Sequence, residues 1–300
     1  MPALMLSEIY VYPIKSLRGI SVRHAGVEAR GLRYDRRWML VDEQGKFLSQ
    51  RQQPRMSLVT VEIGPDRLTV AAPGLEPLHI PLETRSPIPI KVQVWRDFCE
   101  ARLVGAEQDE WFSRFLGMPC HLVRMPDSTV RPVDPNYAVT NADQVGFADG
   151  YPFMLITQAS LDDLNDRLQE GGSSPVPMIR FRPNLVVSGS EPFAEDHWYR
   201  IQINSMPFYL VKPCSRCVIP TVDPETGTTG KEPIRTLLQY RKKGDKIYFG
   251  QNLVHAAPDP GDRQGVLRVG DPVVVTDYRS AGAEFHSVAG AGMRKTPGEN

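Results

Sequence analysis

The chain has 300 residues, 35 Lys/Arg against 35 Asp/Glu, and 41% hydrophobic content. That length suits two domains or one large one, and it buries about three quarters of the unfolded surface without needing disulfide or metal staples. Zero net charge excludes nucleic-acid binding by bulk electrostatics, and no stretch approaches the roughly 20 apolar residues of a membrane span.

The opening stretch, MPALMLSEIYVYPIKS, lacks a charged leader and a long apolar run, so a reducing, cytoplasmic setting is expected. Proline is abundant, at 27 residues, and it disfavours helix interiors and central strands. Together with many short β-branched runs, this predicts a mainly β architecture with a few short helices.

In chain order, EIYVYPI begins the strands. RRWMLVDEQGKFLSQR predicts a hairpin turning at Gly45, and MSLVTVEIGPDRLTVAAPG a second one turning at Gly64, Pro65 and Asp66. IPIKVQVWRDFCEARLV completes this set. A helix is predicted near 107–116, where Trp111, Phe112 and Phe115 share a face. The polar stretch 125–150, rich in turn residues, reads as a long connection, a kind of loop that is often functional. YPFMLIT predicts a buried strand. A helix follows it, with Leu161, Leu164 and Leu168 on one stripe and Gly171 as the stop. NLVVSG, WYRIQIN, PFYLVK, KIYFGQNLV and VLRVGDPVVVTDY are spaced like the strands of a closed barrel. The predicted division is 1–125 as a β-rich N-terminal domain, 126–279 as a β-barrel domain and 280–300 as a flexible tail.

Two features suggest chemistry. Between Lys15 and Arg55 there are ten Lys/Arg against four Asp/Glu, which is either a solvated basic face or a site for an anion. The segment VKPCSRCVIPTVDPETG holds Cys214 and Cys217. A zinc site wants four ligands, and neither Cys99, Cys120 nor any histidine stands at matching spacing. A thioredoxin-like pair would open a helix, which Pro220 and Pro224 oppose. A disulfide is disfavoured in a reducing compartment. An inert buried thiol stays open. So does a thiolate favoured by Lys212 and Arg216, suited to a soft, redox-active metal that brings its other ligands with it.

The motifs YPIKSLRG, GLRYDRRWMLVD, FRPNLVVSG, KPCSRCVIPTVDPETG, FGQNLV and LRVGDPVVV resemble MOSC-domain proteins. Within them the likeness is to the molybdenum-dependent branch of the amidoxime-reducing component and its bacterial YcbX-like relatives. The resemblance implies a MOSC-type β-barrel preceded by a β-rich domain. It also implies a molybdenum–molybdopterin cofactor, with Cys217 as the metal ligand and a catalytic residue. Cofactor contacts would fall on Lys15, Ser16, Arg36, Gly150, Tyr151, Arg182, Asn184, Ser215, Arg216 and Asn252. Glu191, the acid following VVSG, is the expected proton donor. The implied activity is reduction of small N-hydroxylated compounds. The end of the chain carries no cysteine for an iron–sulfur domain, so electrons would come from a separate protein of ferredoxin, flavodoxin or reductase type. A persulfide-transfer protein and a non-catalytic cofactor carrier are the alternatives. Neither nucleic acid nor membrane is an expected partner.

Overall fold

The computed structural model describes residues 3–83, 88–255 and 265–279. The expected tail, 280–300, lies outside them. Strands dominate, with three α-helices among the described residues, as the proline content and the short β-branched runs predict.

The largest sheet has nine strands. Its hydrogen-bonded order is Val273–Tyr278, Trp198–Ile203, Met206–Ser215, Lys246–His255, Phe153–Thr157, Leu185–Ser188, Met5–Val11 and Ile20–Val22, with Lys242–Lys243 paired beside Lys246–His255. Only Phe153–Thr157 and Leu185–Ser188 run parallel. A parallel pair needs a crossover, which the helix Gln158–Glu170 supplies. That helix is capped by the Thr157 hydroxyl, which accepts from the Ser160 amide. It buries Leu161, Leu164 and Leu168, the stripe expected from their spacing. Met5 bridges Pro272, the Leu6 amide donates to Asp271 O at 2.9 Å, and the Val273 amide donates to Leu4 O at 2.9 Å. The sheet thereby curls until its two sides meet, enclosing Leu6, Ile9, Phe153, Leu185, Trp198, Ile201, Phe208 and Leu253.

Strands buried on both faces feed two cores. Phe153 and Leu155 point into the barrel, while Met154 and Ile156 pack under the helices. This is the period-2 alternation of a strand with no solvent face. The strand Trp38–Val41 behaves the same way, sending Trp38 and Leu40 to one core and Met39 and Val41 to another. It lies at the end of a four-stranded sheet with His121–Arg124, Asp97–Leu103 and Pro89–Val94. The hairpin expected around Gly45 forms as a short one: Gly45 turns at φ 76, the Leu48 amide donates to Leu40 O at 2.8 Å and the Asp42 amide to Lys46 O at 2.9 Å, and Val41 bridges Phe47. On its other edge Trp38–Val41 takes His121–Arg124 as its ladder partner. The hairpin turning at 64–66 forms as expected.

The helix Ala106–Leu116 packs Trp111, Phe112 and Phe115 as their spacing predicts. A further helix, Ile234–Tyr240, was not expected, because seven residues are too few to display a helical period. The division at 125/126 is crossed in space by the N-terminal strands. Met5–Val11 pairs with Leu185–Ser188, and His24–Glu28 with Val266–Arg268.

Candidate functional site

A cleft of about 1050 Å³ opens where the barrel strands Met206–Ser215 and Lys246–His255 face the segments around Lys15, Arg36, Trp95 and Arg182. Its wall includes nine Lys/Arg and four Asp, an excess of five positive charges in a chain whose net charge is zero. Among the described residues, seven non-glycine residues have positive φ, and four of them line this cleft: Ser16 (67°), Arg36 (47°), Trp95 (57°) and Arg182 (58°). Side chains rarely adopt that region, and such strain gathers where a site requires it.

Tyr12 forms the floor beneath two of the arginines. The guanidinium of Arg36 stands 4.1 Å and that of Arg182 4.3 Å from its ring centroid. The Tyr12 hydroxyl donates to Pro183 O at 3.0 Å, and its amide donates to Asp35 Oδ1 at 2.9 Å. Gly19 makes room for the ring, because a Cβ there would lie 2.2 Å from Tyr12 Cε1. Arg36 Nη1 donates to both Asp35 oxygens, at 2.8 and 2.7 Å, and to Asn184 Oδ1 at 3.1 Å. Arg182 Nη1 donates to Leu17 O at 2.7 Å. Burial pulls the Arg182 guanidinium down to about 10.

Lys15 is 5% exposed. Its Nζ donates to Phe147 O at 2.7 Å and to Asp149 Oδ1 at 2.5 Å. Burial pulls its ammonium down to about 8, against the opposing pull of Asp149. Asp149 also accepts from Arg51 Nη2 at 3.2 Å. The loop carrying Asp149, Gly150 and Tyr151 is anchored from behind by Arg131, whose side chain is 3% exposed. Its Nη1 donates to Gly146 O (2.8 Å) and Ala148 O (2.6 Å), its Nη2 to Asp149 O (3.0 Å) and its Nε to Asp97 Oδ2 (2.8 Å).

Across the cleft, the strand Met206–Ser215 ends at the cysteine pair. The Arg216 amide donates to Ile247 O at 2.7 Å, Nη2 to Phe181 O at 2.6 Å and Nη1 to Cys214 Sγ at 3.1 Å. Its Nε is buried without a partner. Cys214 packs against the apolar cluster that includes Phe181 and Phe249. Cys217 is half-buried and lines the cleft. All four cysteines are free thiols.

The structure brings Lys15, Ser16, Arg36, Gly150, Tyr151, Arg182, Asn184, Ser215, Arg216, Cys217 and Asn252 to this one cleft. Asn184 is already engaged by protein groups, accepting from Arg36 and from the Met154 amide (3.3 Å) and donating to Tyr10 O (3.2 Å). Glu191 is the exception. It is exposed and outside the cleft, because the turn after Leu185–Ser188 carries it away; the buried acid in that turn is Glu195, which Thr157 and Ser160 hydrogen-bond.

Sequence reasoning missed Tyr12, Arg51, Trp95, Arg131 and Asp149. Trp95 left a signal, since it tops a two-residue hairpin. Arg131 left none, because three of its four acceptors are backbone carbonyls.

Among the described residues, no group of three or more His, Cys, Asp or Glu could hold a metal ion. Two free thiols, of which Cys214 is engaged by Arg216, an excess of cations and an unpaired buried Arg216 Nε fit an anionic group that arrives with its metal ligands already in place.

Comparison with known proteins points the same way. The profile of the MOSC N-terminal beta barrel domain matches residues 3–119, and that of the MOSC domain matches residues 142–274. The mitochondrial amidoxime-reducing component 1 of Mus musculus is 35% identical, covering 89% of this chain and 81% of its own length. The mitochondrial amidoxime reducing component 2 of Rattus norvegicus is 37% identical over 89% and 82% of the two chains. The molybdenum cofactor sulfurase of Solanum lycopersicum is 33% identical, over 90% of this chain but 35% of its own length.

Proposed function

The chain belongs to the MOSC-domain family, and on that premise we propose that its basic cleft binds a molybdenum-bearing pterin and that the protein reduces N-hydroxylated compounds. The observation that carries this reading is Cys217, a half-buried free thiol facing a cleft with five excess positive charges. A single thiolate suits a soft metal whose other ligands come from a cofactor. Kinship with the amidoxime-reducing components supports the substrate class.

Arg36, Arg182 and Arg216 would hold the anionic end of the cofactor through charge-assisted hydrogen bonds, with Lys15 adding a compact charge. Ser16, Gly150, Tyr151, Asn184, Ser215 and Asn252 would complete its contacts. When bound, the cofactor supplies a two-electron couple, so that R–NHOH, two electrons and two protons give R–NH2 and water. Tyr12 and Asp35 keep the arginines aimed, and Arg131 keeps the Asp149–Tyr151 loop in place. Glu191 lies exposed and outside the cleft, so protons would enter from solvent or from cleft groups. Electrons come from a separate redox protein.

Among the described residues no helix is long and apolar enough to cross a membrane. A second reading, sulfur transfer, draws on Cys214 and Cys217 lining the same cleft.

The test is elemental analysis of protein from a molybdate-replete host, with amidoxime reduction assayed under an artificial reductant. Near-stoichiometric molybdenum is expected in the wild type. Cys217→Ser is expected to lower metal retention about 10- to 100-fold and to abolish turnover. Full activity of C217S with molybdenum bound would overturn the assignment. Metal-free protein carrying a persulfide would favour sulfur transfer.

A further inference from the structure

The hairpin of Pro89–Val94 and Asp97–Leu103 is closed by only two residues, because Val94 pairs with Asp97. Two-residue hairpin turns favour Asn, Asp or Gly at their centre, since positive φ is required there. Here the centre is Trp95 and Arg96, with Trp95 at φ 57. A large aromatic side chain in the left-handed region is unfavourable, and Trp95 gains little from burial in return, for it remains 44% exposed.

The ring is nonetheless held in a fixed orientation. Phe47 meets it edge-on, with centroids 5.1 Å apart and planes at 60°. The Arg51 guanidinium stands 4.6 Å from its centroid. That guanidinium is itself tied to Asp149, which Lys15 also binds. Trp95 therefore lines the cleft as an oriented, strained aromatic surface, with Arg51 over one face and 44% of the residue still exposed. The Arg51 charge beside it is paired with Asp149, which Lys15 shares, and the indole offers this part of the wall a flat stacking surface.

Building on the reductase reading, we propose that Trp95 is a specificity-determining residue. It selects planar, conjugated N-hydroxylated substrates, such as aromatic amidoximes, over small aliphatic ones by stacking against the substrate ring. An aromatic pair of this kind contributes enough beyond simple burial to shift relative affinity several-fold. The backbone strain is the local cost of presenting an indole where a hairpin turn with positive φ at its first centre prefers glycine.

The experiment compares benzamidoxime with acetamidoxime on the molybdenum-loaded wild type, W95F, W95A and W95N. The ratio of their kcat/KM values is expected to fall about five- to tenfold in W95A and W95N, chiefly through a higher KM for benzamidoxime, and to stay within about twofold in W95F. An unchanged ratio in W95A, or equal losses for both substrates, overturns the proposal. Wild-type protein that reduces neither compound defeats the reductase reading by itself; calorimetric titration of the same pair then tests the stacking separately. Equal binding of the two by the wild type, or binding by W95A indistinguishable from it, overturns the proposal on that arm.

Discussion

Lys15 couples the chemistry of one side chain to the working range of the cleft. Burial holds its ammonium at about 8, so the positive charge is fully present at pH 7 and lost as pH rises through that value. Binding of a phosphate monoester is accordingly expected to weaken between pH 7 and 9. The midpoint should lie somewhat above 8, because a bound anion favours the charged amine. Loss of one charge-assisted hydrogen bond costs about 1.5–3 kcal/mol, or roughly 10- to 100-fold in affinity. Calorimetric titration across that range tests this, with Lys15→Met expected to flatten the profile. At this scale the sequence motifs named Lys15, Arg36, Arg182 and the 215–217 triplet, which the fold brings to one cleft, because local strings such as YPIKS and CSRC carry them. They failed for Glu191, whose placement depends on how a turn leaves its strand. They were silent on Asp149, whose partners Lys15 and Arg51 lie far away in the chain.

The 126–150 connection has little regular structure, so something other than a ladder must hold it. Arg131 does so through three carbonyls and Asp97. Removing the buried guanidinium leaves those carbonyls without their donor, and each lost charge-assisted hydrogen bond costs about 1.5–3 kcal/mol. Arg131→Met is therefore expected to lower the melting temperature by that order of stability and to speed amide exchange through 143–151. An unchanged exchange pattern would show that other contacts hold the loop. Helices and the second hairpin were legible because a periodic face or a Gly-Pro-Asp turn announces them. The pairing of Trp38–Val41 was not, since a strand with four buried residues carries no mark of which neighbour it will choose.

Two sequence profiles suggest two modules, yet the molecule is sewn together by its first strands. A fragment comprising 126–279 would lack Met5–Val11 beside Leu185–Ser188 and His24–Glu28 beside Val266–Arg268. It would expose Leu185, Val187 and Leu267 of the barrel core. That fragment is expected to show no cooperative melting transition by circular dichroism, whereas the full chain does; a sharp transition in the fragment would show the barrel to be autonomous. The composition gave no hint of this, nor of the basic cleft, because a balanced charge total conceals where opposite signs have been segregated.

The pairing of the strand Met5–Val11 with Leu185–Ser188 also sets a timetable for the newborn polypeptide. Ser7 reaches its acceptor, Val186, only after 179 further positions have been translated. At about 5–20 residues per second, this leaves an apolar ribbon unmatched for roughly ten to thirty-five seconds. During that interval the ribosome and its attendant chaperones, rather than the finished core, must keep it from sticking elsewhere.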